Sequence, residues 1–289
     1  ILGRLVGSEM CIRDSPNIVR LYDTIIDDTT DNIYLVLEYF SRGDFSKFLK
    51  KRPLKEKYAK KYLKQLSSGL KYLLENKIIG NTLIITLNNP SKRNSMIKGF
   101  HDEFQSAIKI AEEDKNVCSV IIAGEGDFFC AGGDLNALKT RRSMTEPERY
   151  QTLNQLNGTI ESIYNCSKPI IAAIEGGAAG AGVSLAMACD LVVMSEYSFF
   201  SLAYVKIGLT TDGAATKFLS ETMPRQMLAE MAMIGEKIDA SRLYNIGAVN
   251  VLAQKGNAKE TAVELSKNFE NLPKNSISRI KKLSRAAYG

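Results

Sequence analysis

Histidine is all but missing from this chain of 289 residues. With His101 as the one copy, a His-based metal centre or a Ser-His-Asp triad has little material to work with, and no metal site is expected. Paired cysteines are missing too: Cys11, Cys118, Cys130, Cys166 and Cys189 are odd in number, widely spaced and contain no Cys-x-x-Cys pair. Neither a disulfide framework nor a zinc site is indicated, and the thiols read as reduced, in a cytoplasmic compartment. The longest apolar stretch, Gly176 to Cys189, lies between Glu175 and Asp190. It is too short and too glycine-rich to cross a bilayer, so no membrane partner is expected. Ile1 to Ser15 lacks the charged start and long apolar core of a secretory signal.

What is present is ordinary globular composition, 45% hydrophobic and 24% charged, enough for one large domain or two modest ones. The net charge of +6 favours anions without choosing among them. The character of the chain changes near Ile79 and Gly80. Before that point lysine and arginine crowd the stretch from Lys47 to Lys64, with Glu56 the only acid among them. No aromatic stacking platform accompanies the run, which reads as a solvated helix face, and no nucleic-acid partner is expected.

In this first part Asn32 to Glu38 alternates and is rich in β-formers, while Leu54 to Lys77 has helical spacing at Tyr58, Tyr62, Leu66, Leu70 and Leu73. The strings Pro16-Asn17-Ile18-Val19-Arg20-Leu21, Leu35-Val36-Leu37-Glu38-Tyr39, Gly43-Asp44 and Gln65 to Leu73 resemble the middle of a protein kinase domain. The phosphate-covering glycine loop, the strand lysine, the His-Arg-Asp loop and the Asp-Phe-Gly site of that family are not among them. Residues 16–78 therefore read as a non-catalytic, partial kinase-like strand-helix fragment, and the abrupt change after Lys77-Ile78-Ile79 suggests a chimeric reading frame. Residues 1–15 read as an artefactual or disordered leader.

From Thr82 the pattern becomes strand (Leu83 to Leu87), turn (Asn88-Asn89-Pro90) and a helix with Ile97, Phe100, Phe104, Ile108 and Ala111 at core-facing intervals. His101 falls beside that stripe, as a surface residue. A strand from Val117 to Ala123 leads into Gly124 to Phe129 and then Cys130-Ala131-Gly132-Gly133-Asp134-Leu135. After a helix-rich insert to Cys166, a buried strand from Pro169 to Ile174 delivers Glu175-Gly176-Gly177-Ala178-Ala179-Gly180-Ala181-Gly182, and Val183 to Ala188 reads as a buried helix. Small residues at two strand-to-helix turns let a ligand approach the backbone, and free N–H groups there favour negative charge. Gly180-x-Gly182 lacks both the P-loop lysine and the order of a dinucleotide fingerprint.

Taken in order, the two loops resemble the crotonase (enoyl-CoA hydratase/isomerase) superfamily. Phe129 to Leu135 is similar to its first oxyanion loop and Gly180 to Asp190 to its second, flanked by Pro90-Ser91-Lys92-Arg93-Asn94 and by Ile207-Gly208-Leu209-Thr210-Thr211-Asp212-Gly213. The resemblance covers residues 80–289 and implies an α/β fold with a crotonase-like repeated ββα spiral core. It implies an acyl-CoA substrate, with coenzyme A present as part of the thioester and no tightly bound cofactor. The N–H groups of Gly133 and Ala181 would stabilise a thioester enolate. Ala131, Gly132, Gly133, Asp134 and Leu135, with Gly180, would border the coenzyme A. Lys92 or Arg93 would meet its phosphates, or else form a solvated turn.

The two catalytic glutamates of the hydratases align with Ser184 and Tyr204, so water addition by that pair is in doubt. Asp212 is the first acid/base candidate, with helix capping as its plainer role. Glu175 is the second, with structural pairing as the alternative, and Asp134 reads as an anchor of its own loop. Residues around Ala203 to Leu209 look similar to crotonases of phenylacetate-type degradation, including alternative oxepin-CoA hydrolases; double-bond isomerisation fits a single carboxylate at least as well. The family implies a homotrimer, in doubt because the chain stops at Tyr288-Gly289 before the final helices that relatives use for subunit contact. Two rival readings stand beside the enzyme: an acyl-CoA binder without turnover, and a kinase-derived interaction module fused to it.

Overall fold

The computed structural model describes residues 3–4, 21–27, 32–37, 76–97, 99–134 and 143–287. The chain divides into two compact units near Gly80. In the first, three strands, β1 (Gly3–Arg4), β2 (Leu21–Asp27) and β3 (Asn32–Leu37), form an antiparallel sheet in that order. The strand expected from Asn32 is therefore present. Most of the helix expected from Leu54 lies outside the described residues, as do Gly43, Asp44 and Leu135. Its last two residues are corrected: Asn76 and Lys77 open a strand, β4 (Asn76–Ile79), whose edge is set by the β-branched pair Ile78-Ile79 and a turn at Gly80.

The second unit is built on strands ordered β12-β9-β7-β6-β5, where β5 is Thr82–Leu87, β6 Ser119–Gly124, β7 Ile170–Ile174, β9 Leu191–Ser195 and β12 Val251–Ala253. From β5 through β12 the neighbours are parallel. That arrangement buries both faces, which is why β7 reads as an unbroken apolar run, every residue of it buried. Register aligns Ile84, Ile121, Ile171 and Leu191 in one row and Ala123, Ala173, Val193 and Val251 two residues further along. The second row is small, and helix α7 (Ala258–Ser266) packs there through Ala258 and Ala262.

Helices α1 (Phe100–Glu113) and α2 (Glu146–Asn165) pack together. Helix α1 buries Phe104, Ala107, Ile108 and Ala111, as its spacing predicts, but Ile97 lies ahead of the helix and is exposed. His101 is half-buried, its Nδ1 2.9 Å from Thr159 Oγ1 on α2, a helix–helix contact in place of the expected surface position. Thr145 and Glu148 form a reciprocal capping box at the start of α2. A second, small sheet joins β8 (Ala178–Ala179), β10 (Phe199–Ser201) and β11 (Lys237–Asp239), with β10 central. Among the described residues no helix is long and apolar enough to cross a membrane.

The last helix, α8 (Lys274–Ala286), is held by charge more than by apolar area. Asp190 Oδ2 sits 2.7 Å from Lys281 Nζ and also accepts the Ile170 N–H at 2.8 Å, while Oδ1 meets Arg285 Nη2 at 2.7 Å. Burial pulls the Lys281 ammonium below the usual lysine pKa, and Asp190 opposes that pull. Because the lysine side chain is only 6% exposed, removing its partner strands a buried charge. Asp190→Ala is expected to destabilise this unit by about 3 kcal/mol, read as a lowered urea midpoint with α8 amides exchanging first.

Candidate active site

Adjacent parallel strands end side by side, so the loops that leave β6 and β7 share one edge of the sheet, where α/β folds place their ligands. Here the pairing continues past the strands. Phe129 N–H donates to Glu175 O at 2.9 Å, Cys130 bridges Ala178, and Ala179 N–H donates to Cys130 O at 2.9 Å. The first loop is tied on its other side as well, with Met96 N–H donating to Gly132 O at 2.8 Å and Ala131 N–H to Arg93 O at 2.9 Å.

The two glycine-bearing turns are thereby pressed together. At Gly132, where φ is +81°, a Cβ would fall 2.7 Å from Ala179 O and 2.9 Å from Ala181 N. At Gly182 a Cβ would fall 2.3 Å from Cys130 O. Only glycine permits either approach. The Gly133 amide follows Gly132 directly, so it and the Ala181 amide occupy one neighbourhood. Ala181 opens helix α3 (Ala181–Met187), and a first-turn N–H has no carbonyl one turn back to bond.

Two residues that the sequence reading left without a role hold this arrangement. Asn94 is buried; its Oδ1 accepts the Asn89 N–H at 2.8 Å and its Nδ2 donates to Glu125 O at 2.9 Å and Phe128 O at 2.6 Å. Cys130 is fully buried, its thiol donating to Asn94 O at 3.2 Å while its sulfur accepts the Gly132 N–H at 3.4 Å. The signal was there in the polar residue closing Pro90-Ser91-Lys92-Arg93-Asn94, but nothing in the spacing says which atoms it joins.

Strand β10, pairing in parallel with β8, carries the chain to a 3₁₀ turn at Ala203–Ile207. Gly180 N–H donates to Ser201 O at 2.9 Å, which sets Tyr204 against the second glycine turn: its ring and hydroxyl lie 3.6–3.7 Å from where a Gly180 Cβ would be. Tyr204 is buried and donates its O–H to Asp212 Oδ1 at 2.6 Å. Ser184, fully buried on α3, donates to the Asp212 carbonyl at 3.0 Å. Ser184, Tyr204 and Asp212 thus come together as one cluster beside Gly180 and Ala181. Burial, the Asp212 charge and the hydrogen bond to it all push the Tyr204 phenol far above the usual tyrosine pKa.

The Asp212 carbonyl accepts the Ala215 N–H at 3.2 Å at the start of the next helix, while its Oδ1 accepts the Tyr204 O–H. Helix α4 (Ala215–Ser220) has Ala214 at its N-cap and no side-chain cap. Glu175 Oε1 accepts the Gly256 N–H at 3.1 Å, and its buried Oε2 has no hydrogen-bond partner among the described residues. Asp134 anchors its loop, with Lys92 Nζ at 2.8 Å from its Oδ2. Lys92 is half-exposed in that pair, and surface pairs of this kind are worth under about 1 kcal/mol. The Arg93 guanidinium lies 5.5 Å from the Phe128 ring centroid, stacked on the loop base.

The comparisons with known proteins follow the same division of the chain. The family model for enoyl-CoA hydratase/isomerase matches residues 78–288, and that for the protein kinase domain matches residues 9–81. Among curated proteins, the chain is 27% identical to the 1,2-epoxyphenylacetyl-CoA isomerase of Escherichia coli over 71% of this chain and 79% of that one. It is 30% identical to the 2,3-dehydroadipyl-CoA hydratase of the same organism over 64% and 70%. Among solved structures, an enoyl-CoA hydratase from Polaromonas is similar at a TM-score of 0.72 and 38% identity, over 73% of this chain and 82% of that one.

Burial raises the Cys130 thiol to about 12, far above the range where a thiolate forms at neutral pH. Iodoacetamide at pH 8 is expected to leave the Cys130 peptide unmodified in the native protein and to alkylate it fully in guanidinium, as read by peptide mass spectrometry.

Proposed function

Because the chain belongs to the enoyl-CoA hydratase/isomerase family, we propose that residues 80–289 act on acyl-CoA thioesters by moving a proton at the carbon next to the carbonyl, with the charge held by two backbone amides. Its mixed α/β fold is that of the crotonase-like structures it matches. What supports the reading is the contact at Gly132, where a Cβ would fall 2.9 Å from Ala181 N, next to the amide of Gly133 in sequence.

A thioester α-proton is only weakly acidic in water, because the negative charge left behind has to be solvated. Fixed N–H donors at the carbonyl oxygen supply that solvation in advance, at about 3 kcal/mol of barrier for each donor. In the proposed step the α C–H bond breaks and its proton passes to the Asp212 carboxylate. The electron pair moves into an enolate whose oxygen rests on the two amides. For a 3-enoyl thioester the same proton then returns at the γ-carbon, giving the 2-enoyl isomer with no other reactant consumed.

Ser184 and Tyr204, at the positions matching the hydratase glutamates, carry no carboxylate, and both are turned toward Asp212. One base that shuttles one proton fits this set; a pair of carboxylates working on water does not. Phosphates of coenzyme A fit the basic turn at Lys92 and Arg93, where the ammonium is half-exposed and free to exchange partners. Phenylacetate-type degradation is one setting in which such a reaction occurs.

The test is exchange and turnover. In deuterium oxide the protein should place deuterium on the α-carbon of a saturated acyl-CoA and should convert 3-enoyl-CoA. Asp212→Asn, which retains an acceptor for Tyr204, is expected to lower both rates by about 10²–10⁴-fold with KM within about twofold. Tight binding of acyl-CoA with neither exchange nor conversion across a chain-length panel would identify a binder and overturn the enzymatic reading.

A further inference from the structure

One polar side chain in the cluster is left over by that chemistry. Tyr204 neither supplies a carboxylate nor contributes a backbone donor, yet it is buried and its hydroxyl makes a short bond to the group assigned as base. The turn that carries Asp212 gives reason for such a partner. Gly213 and Ala214 both sit in the left-handed region, at φ +57° and +59°, and a non-glycine residue there costs about 1–2 kcal/mol. A strained turn of this kind keeps its shape when surrounding contacts over-determine it. Two such contacts come from side chains: Ser184 on the Asp212 carbonyl and Tyr204 on its carboxylate.

We propose that Tyr204 is the positioning residue of this site: its phenol O–H holds the Asp212 carboxyl group in one orientation beside the Gly180–Ala181 turn, so that a single base serves both ends of a proton shift. The inference rests on the reading of Asp212 under the proposed function and adds to it the group that controls the base. The phenol suits the task because it remains a donor at every pH at which the enzyme would work. Burial and the Asp212 charge hold its proton in place. A donor that cannot ionise stabilises the charged form of its acceptor and lowers the pH at which that acceptor becomes a competent base.

Among the described residues, the neighbouring charges are paired with one another. Lys206, on the same 3₁₀ turn, is directed to Glu236 at 3.8 Å. Glu230, on the π-helical turn packed against it, is held by Arg242 at 2.7 Å. Lys217, on α4, pairs with Glu221 at 3.4 Å. From α3 the facing polar group is the Ser184 hydroxyl, which is uncharged. Among the described residues, Asp212 is the charged group that acts on the phenol.

The assignment separates from a purely structural role through pH. Deuterium uptake at the α-carbon of a saturated acyl-CoA, followed from pH 5 to pH 9, should give wild-type protein an acid limb set by Asp212. Tyr204→Phe is expected to move that limb to higher pH and to lower the plateau roughly tenfold or more, the worth of one charge-assisted hydrogen bond, with acyl-CoA affinity within about twofold. Replacement of Tyr204 by 3-fluorotyrosine, nearly the same size and a stronger donor, should move the limb to lower pH and guards against a Tyr204→Phe protein that does not fold. Limbs that superimpose on wild type in the folded variants, or a loss expressed wholly in affinity, overturn the role of Tyr204 while leaving the exchange reaction in place. No exchange by the wild-type protein would instead remove the proposed function beneath it.

Discussion

The site depends on parallel pairing that does not stop where the strands stop. Strands β6 and β7 run side by side through the core, and their hydrogen bonding carries on into the loops, through Phe129 to Glu175 and through Cys130 to Ala178 and Ala179. A loop normally surrenders the order of the strand that feeds it. Here two loops brace each other and meet at contacts that leave no room for a Cβ at Gly132 or Gly182. The consequence is that backbone amides, which have no rotamers, are fixed in advance of any ligand. Helix α3 is only seven residues long, so its dipole adds little and the individual N–H groups are the meaningful charges.

The turn that carries Asp212 is supported differently. Asp212 belongs to no strand or helix; it sits in a turn whose next two residues are left-handed, and it is held by the side chains of Ser184 and Tyr204. Amides anchored in the sheet and an acid anchored by side chains can vary independently. That division is physical ground for one fold hosting several reactions, since the second set can be replaced without disturbing the first.

Much of this could be read from residues alone. The strands at Thr82, Ser119 and Ile170 are where alternating or unbroken apolar runs place them, because a strand buried on both faces must be apolar throughout. The glycine turns were legible for the same reason: a residue without a side chain after a buried strand signals close backbone approach. The tyrosine–aspartate bond was not, because sequence spacing of eight residues across a 3₁₀ turn and a left-handed turn carries no periodicity to read. Asn94 and Cys130 were opaque for a related reason. Each bonds main-chain atoms of segments far away in sequence, and polar residues in loops have too many local uses for their type to name the partner. Ile97 shows the opposite error, since its spacing fitted a helix that begins only at Phe100.

Ser184 and Tyr204, which the resemblance sets at the positions of the hydratase glutamates, do more than leave out two acids. Ser184 is fully buried, its Oγ is bonded to the Asp212 carbonyl, and a Cβ on Gly213 would fall 3.0 Å from that same oxygen. A glutamate at 184 would need space that the 211–213 turn already fills, and interiors packed to crystal density do not yield several atoms of volume without moving backbone. Moving that backbone would displace Asp212 from Tyr204. The serine, the tyrosine and the aspartate therefore form one packing solution, in which the volume beside residue 184 is taken up by the turn that carries Asp212.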